Sequence, residues 1–218
     1  MTAALLVPPP RSCWARAISA SSTSTTPDPN AANNTAIAQS TVVKPQPNTS
    51  YVNVDDGAGG VSYDKPSVAL KKQGNKLQFN FFGTASHRLL SNEGIIDTGV
   101  KAPGSEFSVA VTGSGLYSYH DTLAAQVVTG EVTVKPTFTG SGSTRTVTWG
   151  SAAPPAGWVF DVKVKTPTGL VTLLNGTTTT TTIFTATQGP GNYQFQVRLR
   201  RTSDNVATAY GKSAQFTI

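Results

Sequence analysis

The chain has 218 residues, of which 17 are Lys or Arg and 11 are Asp or Glu, for a formal net charge of +6. That length suits one large or two small domains, and no stretch approaches the ~20 apolar residues of a membrane-spanning helix. One cysteine, Cys13, excludes an intrachain disulfide.

Only 13% of the residues are charged and 32 are threonine. β-Branched side chains pack well on a pleated surface. No long run has helical periodicity, so the chain is expected to be all-β.

The first twenty residues, MTAALLVPPPRSCWARAISA, make a poor export signal. Three prolines and two arginines interrupt the apolar stretch, although Ile18-Ser19-Ala20 loosely resembles a cleavage site. A truncated export signal and a disordered tail are both open readings. Residues 1–50 are rich in Ser, Thr, Pro, Asn and Ala, with Trp14 as the one aromatic. Such a segment buries too little apolar surface to offset chain entropy, which predicts a disordered leader or linker.

From Tyr51 the pattern changes to short alternating segments separated by Gly, Pro and Asn turns. VNVDD, SVALKK, KLQFNFFG, EFSVAVT, LYSYHD and GEVTV read as strands. Lys135-Pro136 closes this set. After Gly140-Ser141-Gly142 a second set begins: RTVTW, WVFDVKVK, LVTLL, the threonine run into IFTAT, NYQFQVRLR and SAQFTI. The expected organisation is two tandem β-sandwiches, residues 51–136 and 137–218, behind the leader. The short boundary predicts that they touch. Charge divides unevenly: residues 51–134 carry six basic and eight acidic side chains, residues 135–218 eight basic and two acidic. A polyanion partner would therefore be sought in the second set.

Particular motifs carry two resemblances. Lys72-Gln73-Gly74 followed by LQFNF, then His87, the turn and strand PGSEFSVAV from Pro103, GLYSYHD, and the closing strand of residues 130–134 together resemble a cupredoxin (plastocyanin-like) domain. The resemblance implies a copper scaffold with His87 at the first histidine position. Asp121 then stands where the thiolate belongs, Ala124 at the second histidine, and Val127 or Val128 at the methionine. A blue-copper centre needs a thiolate, two imidazoles and a weak axial thioether. Cys13 and Met1 both lie far upstream, so such a centre is not expected. The second set resembles a fibronectin type III domain: Trp149 fits its buried strand-B tryptophan, Phe160, Val162 and Val164 its central strand, and Tyr193, Phe195 and Val197 strand F. Tyr193 would be the corner tyrosine that ties its hydroxyl to nearby backbone.

His87 and Asp121 form one candidate site, either a weak metal site (copper, without blue character) or a hydrogen bond locking two loops. Two protein ligands are too few for a tight site. His120 is adjacent to Asp121, and strand alternation sends the two side chains to opposite faces, which argues against a Ser118–His120–Asp121 nucleophile. Lys163, Lys165, Arg198 and Arg200 form the second candidate. They alternate with apolar residues on strands expected to be neighbours, giving one basic face with Arg201 at its end. That face would either contact an anionic cell-wall polymer or act as a solvated surface that discourages aggregation. No aromatics are interleaved for base stacking, so a nucleic-acid partner is not expected. The six threonines 177–182 read as a strand and its turn, or as a ladder open to a sugar or another strand. Together these readings predict a non-enzymatic exported or cell-surface binding and scaffold protein without a cofactor. A weakly copper-binding protein is the alternative.

Overall fold

A computed structural model describes residues 46–57 and 60–218, and the expectations for the leader lie outside these residues except at its last positions. Among the described residues there are sixteen strands and no helix, and Pro47–Ile218 forms one compact unit.

The first eight strands are β1 (Thr49–Asp55), β2 (Ser62–Tyr63), β3 (Ser67–Leu70), β4 (Lys76–Phe81), β5 (Leu89–Ser91), β6 (Glu106–Ala110), β7 (Gly115–Asp121) and β8 (Thr129–Val134). They make two four-stranded sheets, ordered β2-β1-β4-β6 and β3-β8-β7-β5. Alternation decides what faces inward: Val52 and Val54, then Leu77, Phe79 and Phe81 line one sheet. Leu89, Tyr117, Tyr119, Val132 and Val134 answer from the other. The sheets are mixed, because β1 runs parallel to β4 and β3 parallel to β8. Strand β1 begins two residues inside the segment whose composition reads as leader. Thr49 and Ser50 sit opposite Lys76 and Leu77 in the parallel ladder, so pairing with β4 sets where the strand starts.

The second eight are β9 (Thr137–Thr139), β10 (Thr144–Thr148), β11 (Trp158–Thr166), β12 (Gly169–Thr177), β13 (Thr181–Thr185), β14 (Asn192–Arg201), β15 (Gly211–Lys212) and β16 (Phe216–Thr217). A three-stranded sheet, β13-β10-β9, faces a sheet ordered β12-β11-β14-β15, with β16 also on β14. Trp149 is fully buried and donates its indole N–H to the Thr179 carbonyl at 2.7 Å. Tyr193 donates its hydroxyl to the Gly189 carbonyl at 2.7 Å, the corner bond expected of it. The threonine run is divided as read, with β12 ending at Thr177 and β13 starting at Thr181.

The two sets of strands touch through their backbones. Leu116 and Ala209 exchange hydrogen bonds of 2.9 and 3.1 Å, and Ser114 N–H donates to the Trp149 carbonyl at 2.7 Å. Such proximity needs glycine. A Cβ at Gly113 would lie 2.5 Å from Leu199 Cδ1, and one at Gly211 would lie 2.5 Å from the Val134 carbonyl oxygen. Gln73 is buried there, and its amide donates to Ser114 Oγ at 2.9 Å and the Lys135 carbonyl at 2.6 Å.

Candidate functional site

His87 follows β4 on a loop turned by Gly83, whose φ is +88°. Asp56, just past β1, holds that loop: its carboxylate accepts the Thr84 N–H at 2.8 Å and the Ala85 N–H. Those two backbone donors keep the Asp56 carboxyl below its ordinary value. The His87 backbone then pairs with Lys101 in both directions, at 2.9 and 2.7 Å. Asp121 is the last residue of β7 and shares the inward face of Tyr117 and Tyr119.

These two elements bring His87 Nδ1 to 2.6 Å from Asp121 Oδ2, with side-chain exposures of 1% and 0%. The other oxygen of Asp121 accepts the N–H groups of Arg88 (3.1 Å) and Leu123 (3.0 Å). Phe81 stacks on the imidazole, ring centroids 5.9 Å apart. His87 Nε2 is buried without a hydrogen-bond partner among the protein atoms. A cleft of about 520 Å³ opens here, lined by Asp56, Ser86, His87, Asp121, Leu123 and Gln126 among others.

This donor set does not fit a blue-copper centre. Nδ1 of His87 is held by Asp121, Ala124 and Val128 offer no ligand atom in their side chains, and Val127 is 79% exposed. Among the described residues no group of three or more His, Cys, Asp or Glu is placed to hold a metal. Cys13 and Met1 lie outside those residues. His120 faces Leu90 on the other side of β7 from Asp121, so Ser118, His120 and Asp121 do not converge.

The second candidate lies on the outer face of β11 and β14, which pair antiparallel along their length. Lys163, Lys165, Arg198 and Arg200 all project there. Asp161 sits among them and is buried. It accepts Arg198 Nε at 3.0 Å, Arg200 Nε at 2.9 Å, Arg200 Nη2 at 3.0 Å and the Gly176 N–H at 3.1 Å. Burial pushes the Asp161 carboxyl up, but the bonds from Arg200, Arg198 and Gly176 outweigh it and leave the group below its ordinary value. Arg200 also donates to Asn205 Oδ1 at 3.0 Å. Lys163 Nζ and the Arg198 guanidinium lie 5.2 and 5.0 Å from the centroid of the Tyr210 ring.

Sequence reasoning misses one member of this face and misplaces another. Lys212 is opposite Gln196 and so joins the face. Its strand is two residues long, too short for any periodicity. Arg201 is expected at the end of the patch, but alternation turns it away: it pairs with Asp204 at 2.8 Å, donates to the Glu93 carbonyl at 3.2 Å and lies 5.5 Å from the Trp158 ring. Asp161 emerges as the carboxylate that organises the arginines, although in the sequence it is only one polar residue in an alternating strand.

No family model matches the chain, and no curated protein matches it. Solved structures with similarity include a novel purple cupredoxin from Nitrosopumilus maritimus, at 17% identity and TM-score 0.35, covering 39% of this chain and 98% of that one. A mutant of amicyanin in its reduced Cu(I) form has 20% identity and TM-score 0.33, covering 39% of this chain and 82% of that one. A multicopper oxidase has 15% identity and TM-score 0.30 over 76% of this chain and 87% of that one. At these values no residue role carries over from them. The fold is all-β, and no helix among the described residues is long and apolar enough to cross a membrane.

Proposed function

We propose that this chain is a non-enzymatic binding and scaffold protein, exported or at the cell surface, that holds an anionic polymer on the outer face of its second sandwich. The observation that carries the reading is the charge on that face. Lys163, Lys165, Arg198, Arg200 and Lys212 share it with one carboxylate, Asp161. Arg198 and Arg200 are held in place by Asp161, so they lose little freedom on binding an anion. The chemistry of the partner is a repeating phosphate or carboxylate, such as an acidic cell-wall glycan or polyphosphate. A nucleic acid fits poorly: Tyr210 is the aromatic on this face, and cations already sit against its ring.

The second set of strands supports a fibronectin type III-like module, residues 137–218, with residues 51–136 as a cupredoxin-like module whose copper ligands have been lost. The strand order, the buried Trp149 and the Tyr193 corner support that division. The non-enzymatic part rests on the alternation that separates His120 from Asp121.

Retention of the full chain on polyphosphate and on polygalacturonate, across a salt series, tests the main reading. The triple variant Lys163→Gln, Lys165→Gln and Lys212→Gln should lose about tenfold in affinity, equivalent to ~1.4 kcal/mol, and the native protein should release as salt screens the charges. Unchanged retention in the variant would remove the face from the argument.

A second reading is favoured by one observation: the buried, unpartnered Nε2 of His87, on a ring oriented by Asp121. A carboxylate commonly fixes a metal-binding histidine in this way. This reading makes the chain a weak, non-blue copper binder through His87 Nε2, with Asp121 orienting the ring and water completing the site. Calorimetric titration with Cu(II) and Zn(II) decides it. Heat that disappears in His87→Ala supports the reading, and no heat from the native protein ends it.

A further inference from the structure

The cations on the outer face of β11, β14 and β15 are of two kinds. Arg198 and Arg200 are paired with Asp161. Lys163, Lys165 and Lys212 form no ion pair among the described residues. Strand pairing sets two of these lysines in one row across the sheet. Lys163 on β11 is opposite Gln196 on β14, and Gln196 is opposite Lys212 on β15. Directly opposed residues of antiparallel strands share a face, so the row reads cation, amide, cation. Two strand spacings, about 10 Å, separate the backbones of the two lysines.

The amide in the middle is free. Gln194, two residues earlier on β14, donates its side-chain N–H to the Ser213 carbonyl at 3.0 Å. Gln196 is half-buried on the same side of the strand, and its side chain has no hydrogen-bond partner among the described residues. A side-chain amide carries an acceptor oxygen as well as two N–H donors, whereas an ammonium group only donates. A ligand that fills this row therefore has anionic groups for the lysines, set apart by a neutral group that both donates and accepts. Polyphosphate does not match, because every unit is charged and its oxygens only accept. It sets acceptors against the Gln196 carbonyl oxygen. In a chain of uronate sugars the carboxylates stand a sugar ring apart, with hydroxyls between them that donate as well as accept. A polar group desolvated without a partner costs affinity, and a site built around a ligand hydroxyl rejects an analogue that lacks it.

We infer that Gln196 makes this face selective for a polyuronate glycan over polyphosphate. The inference rests on the reading of the face as a polymer-binding surface, and it names which of the two polymer chemistries the face takes.

Retention of the full chain on polygalacturonate and on polyphosphate at one ionic strength tests it, for the native protein, Gln196→Leu and Gln196→Lys. The native protein should bind polygalacturonate the more tightly. Gln196→Leu should lose about tenfold on polygalacturonate, the scale of one or two hydrogen bonds, and keep its affinity for polyphosphate. Gln196→Lys fills the row with charge and should gain on polyphosphate while losing on polygalacturonate. Both variants should keep the native far-ultraviolet dichroism spectrum, since the replaced amide bonds to nothing in the fold. A Gln196→Leu variant that weakens on both polymers alike, or on neither, overturns the inference and leaves the polymer reading in place. So does a native protein that prefers polyphosphate. A native protein retained on neither polymer removes the polymer reading and the inference with it.

Discussion

Asp161 and Glu93 are both buried carboxyls, and their surroundings drive them in opposite directions. Asp161 is held below its ordinary value because two arginines and a backbone N–H outweigh burial. Its stabilisation is therefore complete above the unfolded value of about 4 and is lost as pH falls through the folded value. Glu93 is raised, chiefly by burial, and its Oε1 has no hydrogen-bond partner. Folding favours its protonated form, so its contribution is present below the unfolded value and is lost as pH rises through the folded one. Melting temperatures against pH should separate the two. Asp161→Asn should melt below the native protein at neutral pH, with the gap closing in acid below pH about 4. Glu93→Gln should melt above the native protein at neutral pH, by about 2–4 °C for each kcal/mol gained, and that gain should also vanish in acid. A Glu93→Gln gain that persists unchanged at low pH would mean the amide acts through packing and not through the lost charge.

At the level of elements, the hairpin of β7 and β8 positions Asp121 and depends on one small residue. Gly130 is opposite Tyr119, and a Cβ there would lie 2.2 Å from the ring. Tyr119 itself is fully buried against Phe79, centroids 5.1 Å apart, so the ring has little room to yield. Gly130→Ala should cost about 1–3 kcal/mol, the range for overpacking a filled core. Gly57→Ala is the matched control, since nothing lies within 4 Å of its added carbon. Denaturant titration of the two variants measures the difference. Equal stabilities would show that the hairpin relaxes freely at this position. A short strand escapes notice beside this hairpin: β5 has three residues, yet it pairs with β7 and places Leu89 opposite Asp121.

Across the whole molecule, the glycine-lined junction couples the two sets of strands. Gly113 lies against Leu199 and Phe160, both core residues of the second set, while its carbonyl accepts the Tyr117 hydroxyl at 2.7 Å. Backbone hydrogen bonds between Leu116 and Ala209 then run directly from one set to the other. A junction of this kind predicts one cooperative thermal transition for the native protein. Gly113→Val drives a branched side chain into Leu199 and should split the calorimetric trace into two transitions or lower its midpoint. A single, unshifted transition would show that the two sets are not coupled through this contact.

Much of the architecture is legible in the sequence. Alternation in VNVDD, LQFNF, LYSYHD and YQFQVRLR, with glycine and proline between segments, is a local property that survives folding because each strand buries one face. The same alternation separates His120 from Asp121 and puts Lys163, Lys165, Arg198 and Arg200 on a common side. The long-range arrangement is not written in any single segment. The parallel pairing of β1 with β4, the short strands β5 and β15 and the contribution of Lys212 all depend on which strands meet. Residue counts say that copper ligands are missing, whereas only packing turns His87 and Asp121 into a buried hydrogen-bonded pair with Nε2 unpartnered. A strand's pattern states which side is buried. Its neighbours, which decide electrostatics and access, are chosen by the chain as a whole, because pairing energy is gained only when distant segments are brought together.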